Sequence, residues 1–263
     1  MSFKQISIIG AGVMGEALIS ALIKAGHSPE KIQILEKRAD RANELQSRYS
    51  IKIGSDLAGS DAVLLVVKPQ DLTGVLAEIN GKLSNTALVI SFVAGKKIAT
   101  ISDGLGGKNP VVRVMPNTPT LIGAGAAGYS FGSDVSQNQK SFVIDLLNSA
   151  GVATEVPEEL QDAVTATSGS GPAYFFAFVE AMIAGAKELG LSDEVATQLT
   201  VQTMIGAAKL LETSGKSATT LRENVTSPNG TTFAALQSFK SEDLERIVAK
   251  AMKAARDRSI ELS

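Results

Sequence analysis

The stretch Ile6-Ser7-Ile8-Ile9-Gly10-Ala11-Gly12-Val13-Met14-Gly15 decides how the rest of the chain folds. An apolar run of strand length breaks into three glycines, and a helical stretch from Glu16 to Ala25 follows at once. Glycines at this spacing let the backbone turn sharply, approach a pyrophosphate closely and pack the helix onto a sheet. The helix start adds unpaired N–H groups and the positive end of the macrodipole, so a dinucleotide phosphate can bind there without any lysine. Gly10, Ala11, Gly12, Val13, Met14 and Gly15 are therefore read as a nucleotide-binding turn.

Outward from this turn, a second strand Ile32-Gln33-Ile34-Leu35 ends at Glu36-Lys37-Arg38 and leads into a helix from about Asp40 to Tyr49. In dinucleotide folds this strand end meets the adenosine ribose, where an acidic residue accepts the 2′-OH of NAD and an arginine accommodates the 2′-phosphate of NADP. Glu36 alone points to NAD. Lys37 and Arg38 place cations where a 2′-phosphate would lie and favour NADP, with a solvated charge run as the plain reading of Lys37. Apolar runs at 61–67, 87–93 and 111–115 have the character of parallel strands buried on both faces. They end in Lys68-Pro69-Gln70, Ala94-Gly95 and Pro116-Asn117-Thr118-Pro119, all on the edge where open α/β sheets place their ligands. Short helices between them, the stretch 123–131, a helix near 137–149 and a last strand 152–156 complete an N-terminal Rossmann-type doubly wound α/β domain over residues 1–156.

The composition limits what such a domain could serve. With a net charge of −2 and a pI near 5.6 the chain lacks the concentrated basic face that nucleic acid or a membrane surface requires. Cysteine is absent, which removes disulfides, thiolate nucleophiles and zinc–cysteine sites together and fits a reducing compartment. No hydrophobic signal segment precedes the first strand and no apolar run reaches membrane-spanning length, so a cytoplasmic location is expected. The single histidine, His27, stands beside Gly26 at the end of the first helix, where it caps that helix or faces solvent. Ser-His-Asp catalysis and histidine-based metal sites are thereby excluded. A cofactor must bring most of the chemistry, and no metal is expected.

From Pro157 the period changes to helical. Stretches 160–167, 173–189, 192–213, 218–225, 231–239 and 244–262 carry helical spacing, and residues 157–263 are expected to form an all-α domain. The long run from Ala173 to Thr213 is apolar on too much of its surface for one small domain to cover, so a homodimer with intertwined helices is expected. Two segments hold more than a helix connection needs. Thr167-Ser168-Gly169-Ser170-Gly171-Pro172-Ala173 reads as a loop of small residues whose backbone can approach a ligand, with Pro172 in the first turn of the next helix. Asn224-Val225-Thr226-Ser227-Pro228-Asn229-Gly230-Thr231-Thr232 is a polar loop that delivers N–H groups and hydroxyls to a helix start, where a small carboxylate would bind.

These residues are specific enough to carry a resemblance. Through the opening glycine turn, Val67-Lys68-Pro69, Ala94-Gly95, Met115-Pro116-Asn117-Thr118-Pro119, Ser168-Gly169-Ser170-Gly171-Pro172-Ala173-Tyr174 and the loop 224–232, the chain resembles the pyrroline-5-carboxylate reductase family along nearly its whole length. The resemblance implies a Rossmann domain, a helical dimerisation and substrate-binding domain, and reduction of 1-pyrroline-5-carboxylate to L-proline, the last step of proline biosynthesis. NADPH is the preferred cofactor on this reading, with NADH the alternative. It implies a homodimer, alone or as the unit of a higher homo-oligomer, with no nucleic-acid or membrane partner. Lys37, Arg38, Val66, Val67, Lys68, Pro69, Val93, Ala94, Gly95 and Asn117 would join the glycine turn as cofactor contacts. Ser168, Gly230, Thr231 and Thr232 would bind substrate. Gly230 and Thr231 would act as backbone donors to its carboxylate, and Thr232, the one catalytic residue, would hydrogen-bond the ring nitrogen. One departure is visible: the family more often has two glycines after the proline, whereas Asn229 stands before Gly230, and asparagine tolerates a left-handed backbone better than most residues. The residue inventory agrees with the chemistry, since a protonated cyclic imine accepts hydride without a strong general acid if it is well oriented.

Two other readings share parts of this pattern. A β-hydroxyacid dehydrogenase or related imine reductase has the same two-domain plan. The β-hydroxyacid enzymes, however, carry a catalytic lysine four residues after the second glycine of that segment, where this chain has Phe175. A nucleotide-sensing protein would keep the first domain and would have no need of the polar loop around Thr232.

Overall fold

The computed structural model describes residues 3–262; Met1, Ser2 and Ser263, which the expected domain bounds include, lie outside it. Two compact units form. One takes the chain up to Pro172 and takes it back from Ala254, and the other is Ala173–Lys253.

The first unit is built on eight strands: β1 (Ile6–Ile9), β2 (Ile32–Leu35), β3 (Lys52–Ile53), β4 (Ala62–Leu65), β5 (Leu88–Ser91), β6 (Val111–Met115), β7 (Gly125–Phe131) and β8 (Gly151–Glu155). Across the sheet they run β3-β2-β1-β4-β5-β6-β7-β8. Pairing is parallel from β3 to β6, β7 lies antiparallel to β6, and β8 is parallel to β7. Between the strands lie α1 (Val13–Lys24), α2 (Ala39–Tyr49), α3 (Leu72–Ile79), α4 (Ile98–Gly104) and α5 (Gln137–Ser149). The chain leaves β1 for β2 on one side and reaches β4 on the other, so the carboxyl ends of β1 and β4 flank the switch point where such sheets open a crevice.

Alternation along each strand divides the core into two layers. Ile6, Ile8, Ile34, Leu64, Leu88 and Ile90 pack with Leu18, Leu22, Leu45 and Phe142 of α1, α2 and α5. Ile9, Val63, Leu65 and Val89 point the other way, onto Leu72, Leu76, Ile79 and Ile101 of α3 and α4. Residues buried on both faces explain why the runs read as continuous apolar segments rather than alternating ones. A single truncation such as Leu64→Ala, at a side chain with no exposure, would cost about 2–5 kcal/mol.

The doubly wound expectation holds, with differences of detail. The run 61–67 pairs as a strand only over Ala62–Leu65, because the Val66 N–H makes one more bond, to Ile9 (2.9 Å), before Pro69 opens a 3-10 turn. His27 follows α1 as expected, yet it is half-buried and its ring stands edge-on to Phe142 at 5.4 Å. Burial and the charge of Lys31 push its imidazole below the ordinary value.

The larger correction concerns residues 157–172. The expected helix over 160–167 is a 3-10 turn Glu158–Leu160, a four-residue α6 (Gln161–Val164) and a π-helical turn Thr165–Gly169. The segment 167–173 is therefore not an open loop. The first compact unit runs on to Pro172, because this segment packs on the sheet: Arg113, with a side chain 4% exposed, pairs with Glu158 (3.6 Å) and Asp162 (3.5 Å). Gln161 donates to Ser130, and Ser259, near the end of the chain, donates to Asp162 (2.7 Å).

The second unit is wholly helical among the described residues. Its helices are α7 (Gly171–Glu188), α8 (Asp193–Thr213), α9 (Ala218–Asn224), α10 (Thr231–Ser241) and α11 (Leu244–Glu261), with α7 and α11 crossing into the first unit at their outer ends. Phe175, Phe176, Leu199, Ile205 and Leu210 are each more than half exposed. One chain leaves these helices uncovered, as the sequence leads one to expect.

Candidate functional site

The glycine turn sits at the switch point. Gly10 has φ +89°, and a Cβ there would stand 2.6 Å from the Val66 carbonyl oxygen, so only glycine lets the turn pass this close to the end of β4. Its N–H donates to Leu35 at the end of β2 (3.0 Å). Gly15 lies inside α1, where a Cβ would meet the Gly10 carbonyl oxygen at 2.4 Å; its bareness seats the helix on the turn. Gly12 differs from both. It is the N-cap of α1 and nothing lies within 4 Å of the position its Cβ would take, so the backbone there is open to an incoming group.

The end of β2 is organised by Glu36. Its carboxylate accepts from the Ala11 N–H (2.9 Å) and the Arg38 N–H (3.0 Å), and Arg38 Nε lies 3.4 Å away. Burial works to raise this carboxyl, but the N–H groups of Arg38 and Ala11 and the Arg38 guanidinium outweigh it and hold it below the ordinary range. Arg38 keeps 60% of its side chain exposed, and Lys37 is exposed as well.

The other expected cofactor residues share this edge. Val66, Val67, Lys68 and Pro69 follow β4, and Lys68 is exposed. Val93, Ala94 and Gly95 follow β5. Gly95 has φ +75°, and a Cβ there would stand 3.3 Å from backbone atoms of Ser259 and Leu262, so the last turns of the chain lie against this loop. Asn117 follows β6 and is 8% exposed; its side-chain oxygen accepts from the Ala126 N–H (2.9 Å), which gives it a bracing role between β6 and β7. Ser168 sits in the π turn, where its hydroxyl donates to Val164 (3.1 Å).

Gly230, Thr231 and Thr232 belong to the second unit. Asn229 takes φ +61°, the left-handed conformation that asparagine tolerates. Gly230 caps α10 without a side chain, and a Cβ there would meet the Ser227 hydroxyl at 2.5 Å. Its N–H already donates to the Ser227 carbonyl (3.0 Å) and the first helical bond is that of Ala234 to the Gly230 carbonyl (3.1 Å), so the donors of this helix start are the N–H groups of Thr231, Thr232 and Phe233. The Gly230 N–H is thus already engaged within the loop, and the residue's lack of a side chain leaves the helix start bare. Thr231 is exposed and Thr232 half-buried. Helices α8 and α9 start on Ser192 and Ser217, whose side chains cap them, and at α5 the Gln139 side chain accepts from the Ser136 N–H, whereas α1 and α10 start on Gly12 and Gly230.

Sequence reasoning missed Arg41. Its Nε donates to the Ala11 carbonyl (3.1 Å), its guanidinium pairs with Glu16 and with Glu44 (2.7 Å), and its side chain is 14% exposed. Glu16 also receives Arg48 and the Tyr49 hydroxyl (3.0 Å). Burial works to raise the Glu16 carboxyl, but the bonds from Arg41, Tyr49 and Arg48 outweigh it and hold it low. An arginine in the first turn of a polar helix carries no sequence signal that separates it from solvated neighbours.

A glycine turn at the switch point of a parallel sheet, joined to a helical unit, defines the class: a dinucleotide-binding α/β protein with an all-α second unit. Residues 5–95 match the family model of NADP oxidoreductases, coenzyme F420-dependent, and residues 158–262 match that of pyrroline-5-carboxylate reductase dimerisation. A pyrroline-5-carboxylate reductase of Corynebacterium melassecola is 40% identical over 98% of both chains. A pyrroline-5-carboxylate reductase structure from Coxiella burnetii superposes with a TM-score of 0.93 at 35% identity, covering 100% of this chain and 99% of that one. The Plasmodium falciparum pyrroline carboxylate reductase, solved with NADP bound, gives 0.88 at 29% identity over 99% of both. The chain belongs to the pyrroline-5-carboxylate reductase family.

Proposed function

We propose that this protein reduces 1-pyrroline-5-carboxylate to L-proline, with hydride supplied by a bound nicotinamide dinucleotide, and that it works as a homodimer or a multiple of one in the cytoplasm. The observation that carries the reading is the glycine turn: bare at Gly12, close-packed at Gly10 and Gly15, and set where β1 and β4 part. It fits a pyrophosphate without a cationic side chain. Arg38, largely exposed beside Glu36, favours NADPH over NADH because its guanidinium can pair with a 2′-phosphate. Val66 to Pro69 and Val93 to Gly95 would line the rest of the cofactor groove. Among the described residues no helix is long and apolar enough to cross a membrane.

Residues 157–263 serve, on this reading, for dimerisation and substrate binding. The Thr231 and Thr232 N–H groups hold the substrate carboxylate at the glycine-capped start of α10. The Thr232 hydroxyl hydrogen-bonds the ring nitrogen. The imine carbon is electrophilic once that nitrogen is protonated, so the protein needs to orient the reactants and supplies no covalent step. The test is loss of nicotinamide absorbance with 1-pyrroline-5-carboxylate and each cofactor in turn. Thr232→Ala should slow the hydride step by about ten- to a hundredfold with cofactor affinity intact, and Thr232→Ser should keep most activity. No oxidation of either cofactor with this imine would overturn the reaction; normal single-turnover rates in Thr232→Ala would overturn the role of that hydroxyl alone.

A further inference from the structure

The central peptides of the glycine turn are gripped from both sides by residues distant in sequence. The Ala11 N–H donates to Glu36 (2.9 Å), and the Ala11 carbonyl accepts from Arg41 Nε (3.1 Å). Ala11 has no exposure, and Arg41 is held in turn by Glu16 on α1, while its remaining nitrogen meets the half-exposed Glu44 on its own helix (2.7 Å). The carbonyl and N–H of one trans peptide point in opposite directions. A guanidinium that draws the Ala11 carbonyl toward α2 therefore turns the Gly12 N–H away from α2, at the one glycine of the turn whose surroundings are open. Any cation here would serve as well for stability alone; what the Nε–H adds is direction.

We infer that Arg41 is a positioning residue for cofactor binding: through the Ala11 carbonyl it orients the Gly12 N–H toward the dinucleotide pyrophosphate. The inference rests on the reading of the glycine turn as the pyrophosphate site. Because the pyrophosphate is common to both cofactors, loss of this grip weakens NADPH and NADH equally, unlike loss of Arg38. Glu16 holds the guanidinium in place for that single bond and is itself held by Arg48 and Tyr49, whereas Glu44, 44% exposed, adds only a surface pair on Arg41.

The test is direct titration of the full-length protein with NADPH, NADH and ADP, the last carrying the pyrophosphate without the nicotinamide. Arg41→Lys retains charge and loses the Nε–H; it should raise Kd for all three by a similar factor, about tenfold. Arg41→Gln should do the same. KM for the imine at saturating cofactor should not move, and Glu44→Gln, which spares the Nε bond, should leave all three affinities within about twofold of the parent protein. If ADP fails to bind the parent protein, the reading of the turn falls. If ADP binds but Arg41→Lys and Arg41→Gln leave the affinities unchanged, or if Glu44→Gln weakens them as much, the positioning role is overturned while the turn stands.

Discussion

Gly15→Ala separates steric packing from helix propensity at the cofactor turn. Within a helix, alanine for glycine gains about 0.8–1 kcal/mol of propensity. Here the new Cβ would stand 2.4 Å from the Gly10 carbonyl oxygen, against an ordinary contact of 3.4 Å or more, so α1 and the turn must part. Overpacking of this kind costs about 1–3 kcal/mol, which exceeds the propensity gain over most of its range. The expected net loss is up to about 2 kcal/mol, or a fall in Tm of up to about 8 °C for a chain of this size. The displacement falls on the peptides that face the pyrophosphate, so affinity for NADPH and NADH should drop together, by about ten- to a hundredfold. Gly74→Ala is the control: it lies in α3 with nothing within 4 Å of its Cβ position and should gain up to about 1 kcal/mol. Calorimetric melting beside cofactor titration reads both quantities. A Gly15→Ala protein that melts at or above the parent and binds both cofactors normally would refute the close-packing argument.

Three further outcomes follow from the same geometry. Arg38→Ala should raise KM for NADPH far more than for NADH in steady-state assays, and equal effects would return the leading role to Glu36. Both Glu16 and Glu36 have carboxyls lowered from 4.5, so the stability they contribute is complete above that value and is lost as pH falls through their folded values. Melting curves should decline in acid below about pH 4.5, and Glu16→Gln should flatten that decline. Gly206 lies in α8 with nothing of its own chain within 4 Å, so alanine would stabilise an isolated chain by up to about 1 kcal/mol. A partner helix closing on this face in the homodimer would reverse the sign: Gly206→Ala would then lower Tm and weaken association in sedimentation.

Much of this was legible in the sequence, for identifiable reasons. β1, β4, β5 and β6 announce themselves because parallel strands buried on both faces must be continuously aliphatic, and Gly or Pro ends each run. β7 was harder: Gly125-Ala126-Ala127-Gly128 has little strand character, and its glycines answer to close neighbours, Thr120 Oγ1 at 2.4 Å and Val164 Cγ1 at 2.7 Å, that only the fold reveals. From Gly171 onward the helices read correctly as helices, but helical period says nothing about which unit a helix packs on. That is why the attachment of 157–172 and the return of the last turns were not foreseen. At the site, the glycine turn is local and readable. The grip of Glu36 and Arg41 on Ala11 spans 25 and 30 residues of sequence and left no local trace.

The return of the chain to its first unit bears on the order in which the protein is made. The ribosome delivers residues up to Pro172 with the sheet complete, yet Asp162 waits for Ser259, and Gly95 for the backbone of Ser259 and Leu262, until the whole helical unit has been synthesised. At about 5–20 residues per second that interval is on the order of ten seconds. During it the loop after β5 lacks its last neighbours, and the apolar faces of α7 and α8 emerge before any partner chain can cover them. The nascent chain at this stage is the form in which it is most open to chaperones.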